Sequence, residues 1–453
     1  MFGVISKNIS ILFTVLLLLV VIFIPTLQAE NITVKKPLSP IMKKTIFFHN
    51  KGLFKKLISS FFKTDIDDFQ EIKPKWVNYW GGDRHEGDCQ IAVDRDNNYI
   101  YVSGNSMSFS DSMRPFLVKY DLNGKKLWDK TIFEQEGAVF SITAENDYVY
   151  AAGLIFSSSD NIDVFITKYD QNGNKIWFKK WDDSSCDIGF SILCVKNTIY
   201  VAGRTIHKQG SNDVLLLCFK DKGSTCKLSW SKIWGGDKDD VAIGMAFYNH
   251  DLYICGTTMG LDGRDTHDGL LLKFDTSDVD SKPAIFDIWS TQDYDQFHDV
   301  AVKDDSLFVV GWTRGYSHEY DIVLLKYNLE TKQLEWQRIW GELENNIGYG
   351  LSISDDNVFV VGEIHEFNGI TEKGACIVLK FDFEGTLIWS KIWGKKIFAH
   401  GEDIQFYLDN LYVGGRCIPG FKSYTDVFVF NCDKNGERIR FLGLNLIRKV
   451  IYH

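Results

Sequence analysis

One short pattern recurs seven times along this chain and constrains its fold more than any other feature. Each copy places an aromatic residue and two aliphatic or small residues before a glycine, as in Tyr101–Gly104 and Phe308–Gly311. The steps between the seven glycines are 49, 50, 53, 55, 51 and 53 residues, at Gly104, Gly153, Gly203, Gly256, Gly311, Gly362 and Gly415. A regular period of this length is typical of a protein built from repeated supersecondary units.

Each unit is predicted to contain four β-strands. A strand of small residues, such as 298–302, comes first, and the run that ends in glycine is the second. The third strand closes on Lys-aromatic-Asp, and an Asn-Gly pair then turns the chain, as at 123–124 and 172–173. Because a type I′ hairpin turn needs positive φ at both central residues, we expect Asn-Gly to form one here.

Tryptophan marks the fourth strand. It carries twelve of the thirteen tryptophans, mostly in pairs four residues apart such as Trp230 and Trp234, and Trp312 alone lies elsewhere. In a strand this spacing puts both rings on one face. Large flat rings on one face are suited to packing between neighbouring sheets, so we predict a core role for them rather than ligand stacking.

Four-stranded units of about 50 residues, repeated seven times, predict an all-β, seven-bladed β-propeller over residues 75–441. A β-solenoid is the alternative, although its units are usually shorter. Lys75–Trp80 and Gly436–Phe441 both resemble a fourth strand, so one of them should complete the seventh blade. The N-terminal copy is favoured because it keeps both tryptophans. Residues 442–453 are expected to form a C-terminal tail.

The units resemble the SBBP-type β-propeller repeat. The likeness rests on Trp234-Gly235-Gly236-Asp237, on Gly256-Thr257-Thr258, and on the Lys-Tyr-Asp-x-Asn-Gly hairpins. The second unit departs from it at 133–135 and the last at 438–440. The resemblance implies an exported or surface-displayed protein of a family mostly without known activity, and it supplies a fold and a location but no chemistry.

The N-terminus has the pattern of an export signal. Lys7 precedes an apolar run from Ile9 to Ile24, and Ala29 offers a small residue for cleavage. Residues 1–29 are therefore interpreted as a secretory signal peptide, with an uncleaved membrane anchor as the alternative. Under either interpretation we expect an extracellular or cell-surface location.

Residues 30–74 form a basic leader. Within it, residues 50–63 place leucine, isoleucine and phenylalanine on one helical face among four lysines, which predicts an amphipathic helix. Such a helix could contact an anionic membrane surface or dock against the propeller.

Charge divides the chain into two parts. Residues 1–63 carry nine lysines and one acid, so the net charge of −10 leaves −18 on residues 64–453. Because phosphate binding needs clustered positive charge, this acidic body argues against nucleic acid as a partner.

The nine cysteines show no CxxC or other metal-ligand spacing. Cys218 and Cys226 flank one predicted hairpin, so a disulfide between them is one hypothesis. The other cysteines fall on predicted strands, where cysteine commonly acts as a small hydrophobic residue.

Histidine and acidic side chains concentrate on one face of the predicted ring. The loops before the first strands and the loops between second and third strands share this face. Together they hold seven of the ten histidines, and His298 is assigned to a loop before a first strand. The candidate ligand- or partner-binding residues are His85, His207, Asp265, His267, Asp268, His318, Glu319, Asp321, His365 and His400.

Two interpretations of this face stay open. Mixed imidazole and carboxylate side chains could bind a divalent cation, a protein partner or a carbohydrate. Alternatively, the aspartate that opens the third strand recurs so regularly, for example at Asp268 and Asp321, that it indicates a turn-capping role.

No nucleophile elbow, His-Glu-x-x-His pair or phosphate loop is present in the sequence. The first hypothesis is accordingly a non-enzymatic exported scaffold, a monomeric propeller that binds a partner through its His/Asp-rich face. An extracellular carbohydrate-active enzyme and a structural surface-layer component are the alternatives.

Overall fold

The structure is a computed structural model. It describes residues 66–437 apart from 159–160, 184–185, 207–210, 261–263, 279, 317–318, 342–344, 368–371 and 420–423. The chain divides into two units, Met1–Lys63 and Thr64–His453, and the described residues belong to the second. The predictions for residues 1–29, 50–63 and 442–453 lie outside the described residues. Among those described, no helix has the length and apolar character needed to cross a membrane.

The described chain begins with a 3-10 turn (Ile66–Asp68) and two strands, β1 (Gln70–Glu71) and β2 (Trp76–Trp80). Seven units of β-strands follow. Their first strands are β3 (Glu86–Asp94), β7 (Gly137–Glu145), β11 (Asp187–Val195), β15 (Asp240–Tyr248), β19 (Asp295–Lys303), β23 (Asn345–Ile353) and β27 (His400–Tyr407). Their second strands are β4 (Tyr99–Ser106), β8 (Tyr148–Ser158), β12 (Thr198–Ile206), β16 (Asp251–Met259), β20 (Ser306–Thr313), β24 (Asn357–Phe367) and β28 (Asn410–Cys417).

The third strands end in the Lys-aromatic-Asp motif or its variants. They are β5 (Arg114–Asp121), β9 (Asn161–Asp170), β13 (Asn212–Asp221), β17 (His267–Asp275), β21 (Asp321–Asn328), β25 (Glu372–Asp382) and β29 (Asp426–Asp433). Six fourth strands follow them in sequence, namely β6 (Lys126–Thr131), β10 (Lys175–Trp181), β14 (Cys226–Trp234), β18 (Ala284–Trp289), β22 (Gln333–Trp340) and β26 (Leu387–Trp393).

Within the described residues these strands form seven antiparallel sheets, the blades, each holding four strands in the order first to fourth. The first strands of consecutive blades contact one another from β3 to β27, and β27 contacts β3, so the ring is closed. The predicted all-β, seven-bladed propeller is confirmed.

The seventh blade is completed by a strand from the N-terminal side of the propeller. β2 pairs antiparallel with β29, with Trp76 opposite Asn431 and Trp80 opposite Val427. The favoured prediction, closure by the N-terminal copy, is therefore confirmed.

A short segment ahead of β2 extends blade six. β1 adds to β26 as a fifth, parallel strand, with Gln70 opposite Lys391. Ile66 and Ile72 are 0% and 3% exposed and lie in the cores on either side of blade six. The end of the predicted leader thus packs as part of the propeller unit.

The tryptophans lie between blades, as predicted. Several of their indole N–H groups also bind the next blade: Trp128 donates to the Gln171 carbonyl at 2.9 Å, and Trp336 donates to the Phe383 carbonyl at 3.0 Å. The acceptors belong to hairpins between third and fourth strands. The fourth strand of one blade therefore holds the hairpin of its neighbour.

The Asn-Gly hairpins differ from the predicted type I′ turn. Gly124 has a φ of 82°, whereas Asn123 does not adopt a positive φ. The Gly124 N–H donates to the Asp121 carbonyl at 3.0 Å, and Asp121 Oδ1 accepts from the N–H groups of Asn123 and Lys125. The Asp121 side chain thus stabilises a type I turn, and glycine alone takes the left-handed conformation.

The first strands line a central cavity of about 1100 Å³. Each of them carries a β-bulge at the same level, where one or two extra residues leave the ladder. The bulged residues lining this cavity are Asp88, Phe140, Phe190, Ile243, His298, Tyr349 and Glu402. Seven equivalent backbone sites therefore present six different kinds of side chain to one channel.

Candidate metal centre

Three potential metal ligands converge where blade six meets blade seven. Glu363 directly follows the repeat glycine of β24, and His365 lies two residues further on, so both project from the same face of the strand. His400 opens β27, the first strand of the next blade. Packing of β27 against β24 brings the imidazole from one blade to the carboxylate of the other.

The ligand atoms lie at distances that suit one ion. The nearest donor atoms of Glu363, His365 and His400 all lie within 4.8 Å of one another. Glu363 Oε2 is 3.6 Å from His365 Nε2 and is in direct contact with His400 Nδ1. Two ligands at a metal distance of about 2.1 Å and a tetrahedral angle are separated by roughly 3.4 Å. The separation of Glu363 Oε2 from His365 Nε2 is therefore close to that of two ligands of one ion, whereas the direct contact of Glu363 with His400 would have to open for an ion to bind between them.

The site is largely shielded from solvent and its carboxylate is ionised. Glu363 is 6% exposed, and the two imidazole side chains are 14% and 15% exposed. Burial by itself would raise the pKa of Glu363, but contacts with His365 and His400 outweigh burial and hold that pKa well below its usual range. The carboxylate is thus available as an anionic ligand.

Neighbouring side chains hold the three ligands in place. Tyr349, the bulged residue of β23, donates its hydroxyl to Glu363 Oε1 at 3.2 Å. The Phe398 ring packs against both imidazoles, with centroids 5.1 Å from His365 and 5.2 Å from His400. Partners of this kind orient ligands and tune their affinity for a metal.

Charged groups adjoin the centre on the blade-one side. Arg416 is the register partner of His400 in β28, and its Nε lies 3.3 Å from Glu402 Oε1. Glu402 also accepts the Cys89 N–H at 2.6 Å, which ties blade seven to blade one. Acidic neighbours, Glu402 first, outweigh the effect of burial and raise the pKa of Arg416 above its usual range.

A further contact chain reaches the centre from blade five. Trp312 donates its indole N–H to His298 Nε2 at 3.1 Å, and the His298 ring packs edge-on against Tyr349. His298 is the bulged residue of β19 rather than a loop residue, which corrects its predicted position. Burial lowers the pKa of His298 to about 4, so it is neutral and can accept this hydrogen bond.

Of the candidate residues predicted from sequence, the structure brings His365 and His400 together. His85 is exposed and contacts Thr425 and the Tyr424 ring. His267 lies on blade four and stacks on Tyr294 with ring centroids 5.9 Å apart. These two histidines are therefore separate from the three-ligand centre.

The predicted acidic candidates are dispersed. Asp265 is exposed and pairs with Lys238, and Glu319 is also exposed. His207 and His318 lie outside the described residues. The acidic loop face is therefore not one assembled cluster within the part of the chain described.

Asp268 and Asp321 are 0% and 1% exposed, so they do not lie on the accessible surface where the sequence analysis placed them. Asp268 accepts from the Ser290 hydroxyl at 2.6 Å. Asp321 lies against Gly341, where an added Cβ would come 1.7 Å from its Oδ1. These contacts support the turn-capping alternative and explain why glycine follows tryptophan in the repeat.

Glu363 was the ligand missing from the candidate residues. One signal could have found it: the residue after each repeat glycine should lie at the channel mouth, and at this position blade six alone carries a carboxylate. Tyr349 and Glu402 gave no comparable signal, because their positions depend on bulges that the sequence does not reveal.

The disulfide hypothesis is corrected. All nine cysteines are free thiols. Cys218 packs in the core shared with blade four, whereas Cys226 packs in the core shared with blade two, so the two side chains lie on opposite faces of their sheet.

Comparisons with known proteins do not place the chain in a family. No protein-family model matches it, and no curated protein is significantly similar to it. The fold is that of a repeat propeller, while the likeness to SBBP-type repeats stays a resemblance.

Proposed function

We propose that this protein is a divalent-metal-binding propeller that acts as an interaction scaffold. The observation that carries the proposal is the convergence of Glu363, His365 and His400, from two different blades, on one small volume. Three protein ligands leave coordination positions for an exogenous molecule, as in zinc sites that bind water or substrate.

The ligand types favour a transition metal over an alkaline-earth ion. Two of the three donors are imidazole nitrogens, whereas Ca²⁺ and Mg²⁺ prefer oxygen ligands. Zn²⁺ is commonly bound by two histidines and one glutamate, and Fe²⁺ or Mn²⁺ also accept such a set. We therefore expect Zn²⁺ to bind and Ca²⁺ to have little effect.

Local charge supports a cation. Glu363 and Glu402 both contribute to the electrostatic environment of Arg416, and Asp88 adds a third carboxylate. Burial raises the pKa of Glu402 to about 7, so near neutral pH this carboxyl is ionised only in part. Glu363 and Asp88 still exceed the charge of one guanidinium, so a bound divalent ion would bring the cluster closer to neutrality.

Thermal unfolding of the chelator-treated protein with Zn²⁺, Mn²⁺ and Ca²⁺ tests the proposal. A metal at about one hundred times its Kd should stabilise the fold by about 2.7 kcal/mol. Glu363→Gln and His400→Ala should remove the Zn²⁺ effect. His267→Ala should keep it, because His267 lies on blade four, away from the three ligands. An equal Zn²⁺ shift in all three variants would place the ion elsewhere and disprove the proposal.

The scaffold is further proposed to act outside the cell. The signal-like residues 1–29 and the SBBP resemblance support export to the extracellular space or cell surface. A protein or carbohydrate is the proposed partner of the loop face, and residues 50–63 are proposed to contact a membrane surface. Two measurements test this location: detection of the protein in the culture supernatant, and its digestion by a protease added to intact cells. A protein that is absent from the supernatant and resists the added protease would contradict export.

A second candidate function is a metal-dependent hydrolase, which the open coordination positions favour. In that case a metal-bound water would be the nucleophile. Hydrolysis of a panel of ester, peptide, phosphate and glycoside substrates that is lost on Glu363→Gln would support the enzyme; binding without turnover would support the scaffold.

A further inference from the structure

We propose that the central cavity binds a small organic cation, an ammonium group joined to an apolar body. The ammonium group would lie against carboxyls on blades five, seven and one, and the apolar body against an aromatic wall on blades two to four. Glu363, His365 and His400 do not line this cavity, so the inference goes beyond the proposed function and does not depend on it.

The charge of the lining favours a cation. Seven carboxyl side chains line the cavity, compared with three arginines. Arg95, Arg204 and Arg416 each already contact a polar group of the protein. An excess of one sign of charge in a concave site raises the local concentration of ligands of the opposite sign. The cavity is therefore suited to an ammonium ion and unsuited to an anion.

Four of the carboxyls form one wall of the cavity, the carboxyl wall. They are Asp299 on blade five, Glu402 and Asp403 on blade seven, and Asp88 on blade one, and all are partly exposed. Burial raises the pKa values of Glu402 and Asp299 to about 7. Asp88 adds to the first rise and Asp403 to the second, because these carboxyls lie near each other. An ammonium ion among them would favour their ionised forms.

Backbone N–H groups of the next blade hold the carboxyl wall in place. Asp299 accepts the Leu351 N–H at 2.9 Å, and Asp403 accepts the Ile91 N–H at 2.7 Å. A carboxylate can accept about four hydrogen bonds, and a protonated amine donates several. The wall therefore offers fixed acceptors to an ammonium group in the cavity.

The aromatic wall is an independent sign of a ligand with an apolar part. Phe140 and Phe190, the bulged residues of blades two and three, are only partly buried, and their ring centroids lie 5.2 Å apart. They belong to a cluster with Leu154 and Ile188, and the bulged Ile243 extends the apolar surface onto blade four. Contiguous apolar surface that stays accessible usually marks a binding site.

The two walls face each other because of the ring order. Consecutive blades are neighbours around the ring, so blades two and three lie across the channel from blade six, at the centre of the carboxyl wall. The cavity of about 1100 Å³ is slightly above the usual range for small-molecule pockets, roughly 300–1,000 Å³. A ligand with an ammonium group at one end and an apolar body at the other would match both surfaces.

The channel also contains an internal control. Asp88 lies near the start of β3, and Asp96 lies in the turn after the end of β3, so the two are at opposite mouths of the channel. Both line the cavity and both belong to blade one. If net charge alone attracted the cation, either aspartate would serve, whereas the proposal requires Asp88.

Isothermal titration calorimetry on the full-length protein tests the proposal, with octylamine, octanol and octanoate as probes. At about pH 8 an alkylamine is protonated, as a lysine side chain is. Octylamine should bind about tenfold or more tightly than octanol, because its ammonium group gains charge-assisted hydrogen bonds, and octanoate should bind most weakly.

Two pairs of variants locate the probe. Asp88→Asn should weaken octylamine binding about fivefold and leave octanol binding unchanged, whereas Asp96→Asn should change neither. Phe190→Ala should weaken the binding of both probes about tenfold, through loss of apolar burial. Phe109→Ala should change neither, because its ring is 64% exposed at an outer loop. Octanol binding that persists in Asp88→Asn also shows that this variant is folded.

Three results would overturn the proposal: no binding of octylamine, octanol binding as tight as that of octylamine, or equal weakening by Asp88→Asn and Asp96→Asn. Zn²⁺ is not required for the measurement, since its three proposed ligands do not line the cavity. Failure to bind octylamine would therefore leave the proposed metal site intact, and failure to bind Zn²⁺ would leave the cation proposal intact.

Discussion

At the residue scale, the same backbone position performs different tasks in different blades. The residue after the repeat glycine is Glu363 in blade six, Arg416 in blade seven and Trp312 in blade five. The bulged residue of the first strand is likewise polar or charged in blades five to seven and one, and apolar in blades two to four. Chemistry is therefore concentrated on one side of a nearly regular scaffold.

Buried aspartates give the scaffold a predictable pH dependence. Burial raises the pKa of Asp295 to about 6, although the Thr313 and Thr291 donors oppose the rise and Asp268 adds to it. Because the folded state holds this proton more tightly than the unfolded chain, its contribution to stability is favourable at acidic pH. That contribution is lost as the pH rises from about 4 to 6.

We expect Asp295→Asn to reduce the fall in the free energy of unfolding between pH 4 and 6 by on the order of 2–3 kcal/mol. Urea unfolding across this pH range measures the slope. Asp265→Asn, at a side chain that is 87% exposed, should keep the wild-type slope. An unchanged slope in Asp295→Asn would show that Asp295 is ionised throughout.

At the element scale, blade six differs from its neighbours because a segment from outside the repeats covers its outer strand. The Ile66 N–H donates to Glu366 Oε2 at 3.2 Å, and the Phe69 ring contacts Trp340 of blade five. Glu366 follows His365 directly, so this segment also supports the strand that carries two of the three metal ligands.

Ile66→Ala should lower the free energy of unfolding by about 2–4 kcal/mol, because it leaves a cavity at a side chain that is 0% exposed. Denaturant unfolding provides the measurement. Ile285→Ala on β18, where the side chain is 50% exposed, should cost less than about 0.5 kcal/mol. Equal losses in the two variants would contradict an anchoring role for the segment.

At the scale of the whole molecule, the ring is closed by pairing between distant parts of the chain. β2 supplies the fourth strand of a blade whose other three strands lie more than 300 residues later. Closure in this way buries both faces of every sheet and ties the start of the propeller to its end.

A chain that starts at residue 82 should therefore melt at a markedly lower temperature, or aggregate, because β29 would present an unpaired edge. A chain that starts at residue 75 keeps β2 but lacks Ile66 and β1, so the difference between the two isolates the closing strand. Scanning calorimetry and size-exclusion chromatography provide the comparison. Identical melting of both chains would show that β2 is dispensable for closure.

What the sequence determined by itself is the periodic part of the protein. The repeat of small, aliphatic, aromatic and turn residues predicted the strands, the blade number and the tryptophans between blades, because these depend on local patterns that recur. The position of the Asn-Gly turn was predicted correctly, but its type was not. The Asp121 carboxylate accepts hydrogen bonds from two backbone N–H groups and thereby selects the type I turn.

Only the tertiary structure decided the site. Glu363 and His400 are 37 residues apart and belong to different blades, and their contact requires the packing of β27 against β24. The sequence placed His365 and His400 on one face among eight other candidates, and it could not rank them. Which side chains meet depends on ring closure and on the bulges that turn Tyr349 and Glu402 into the channel, and these arise from packing between blades rather than from any local pattern.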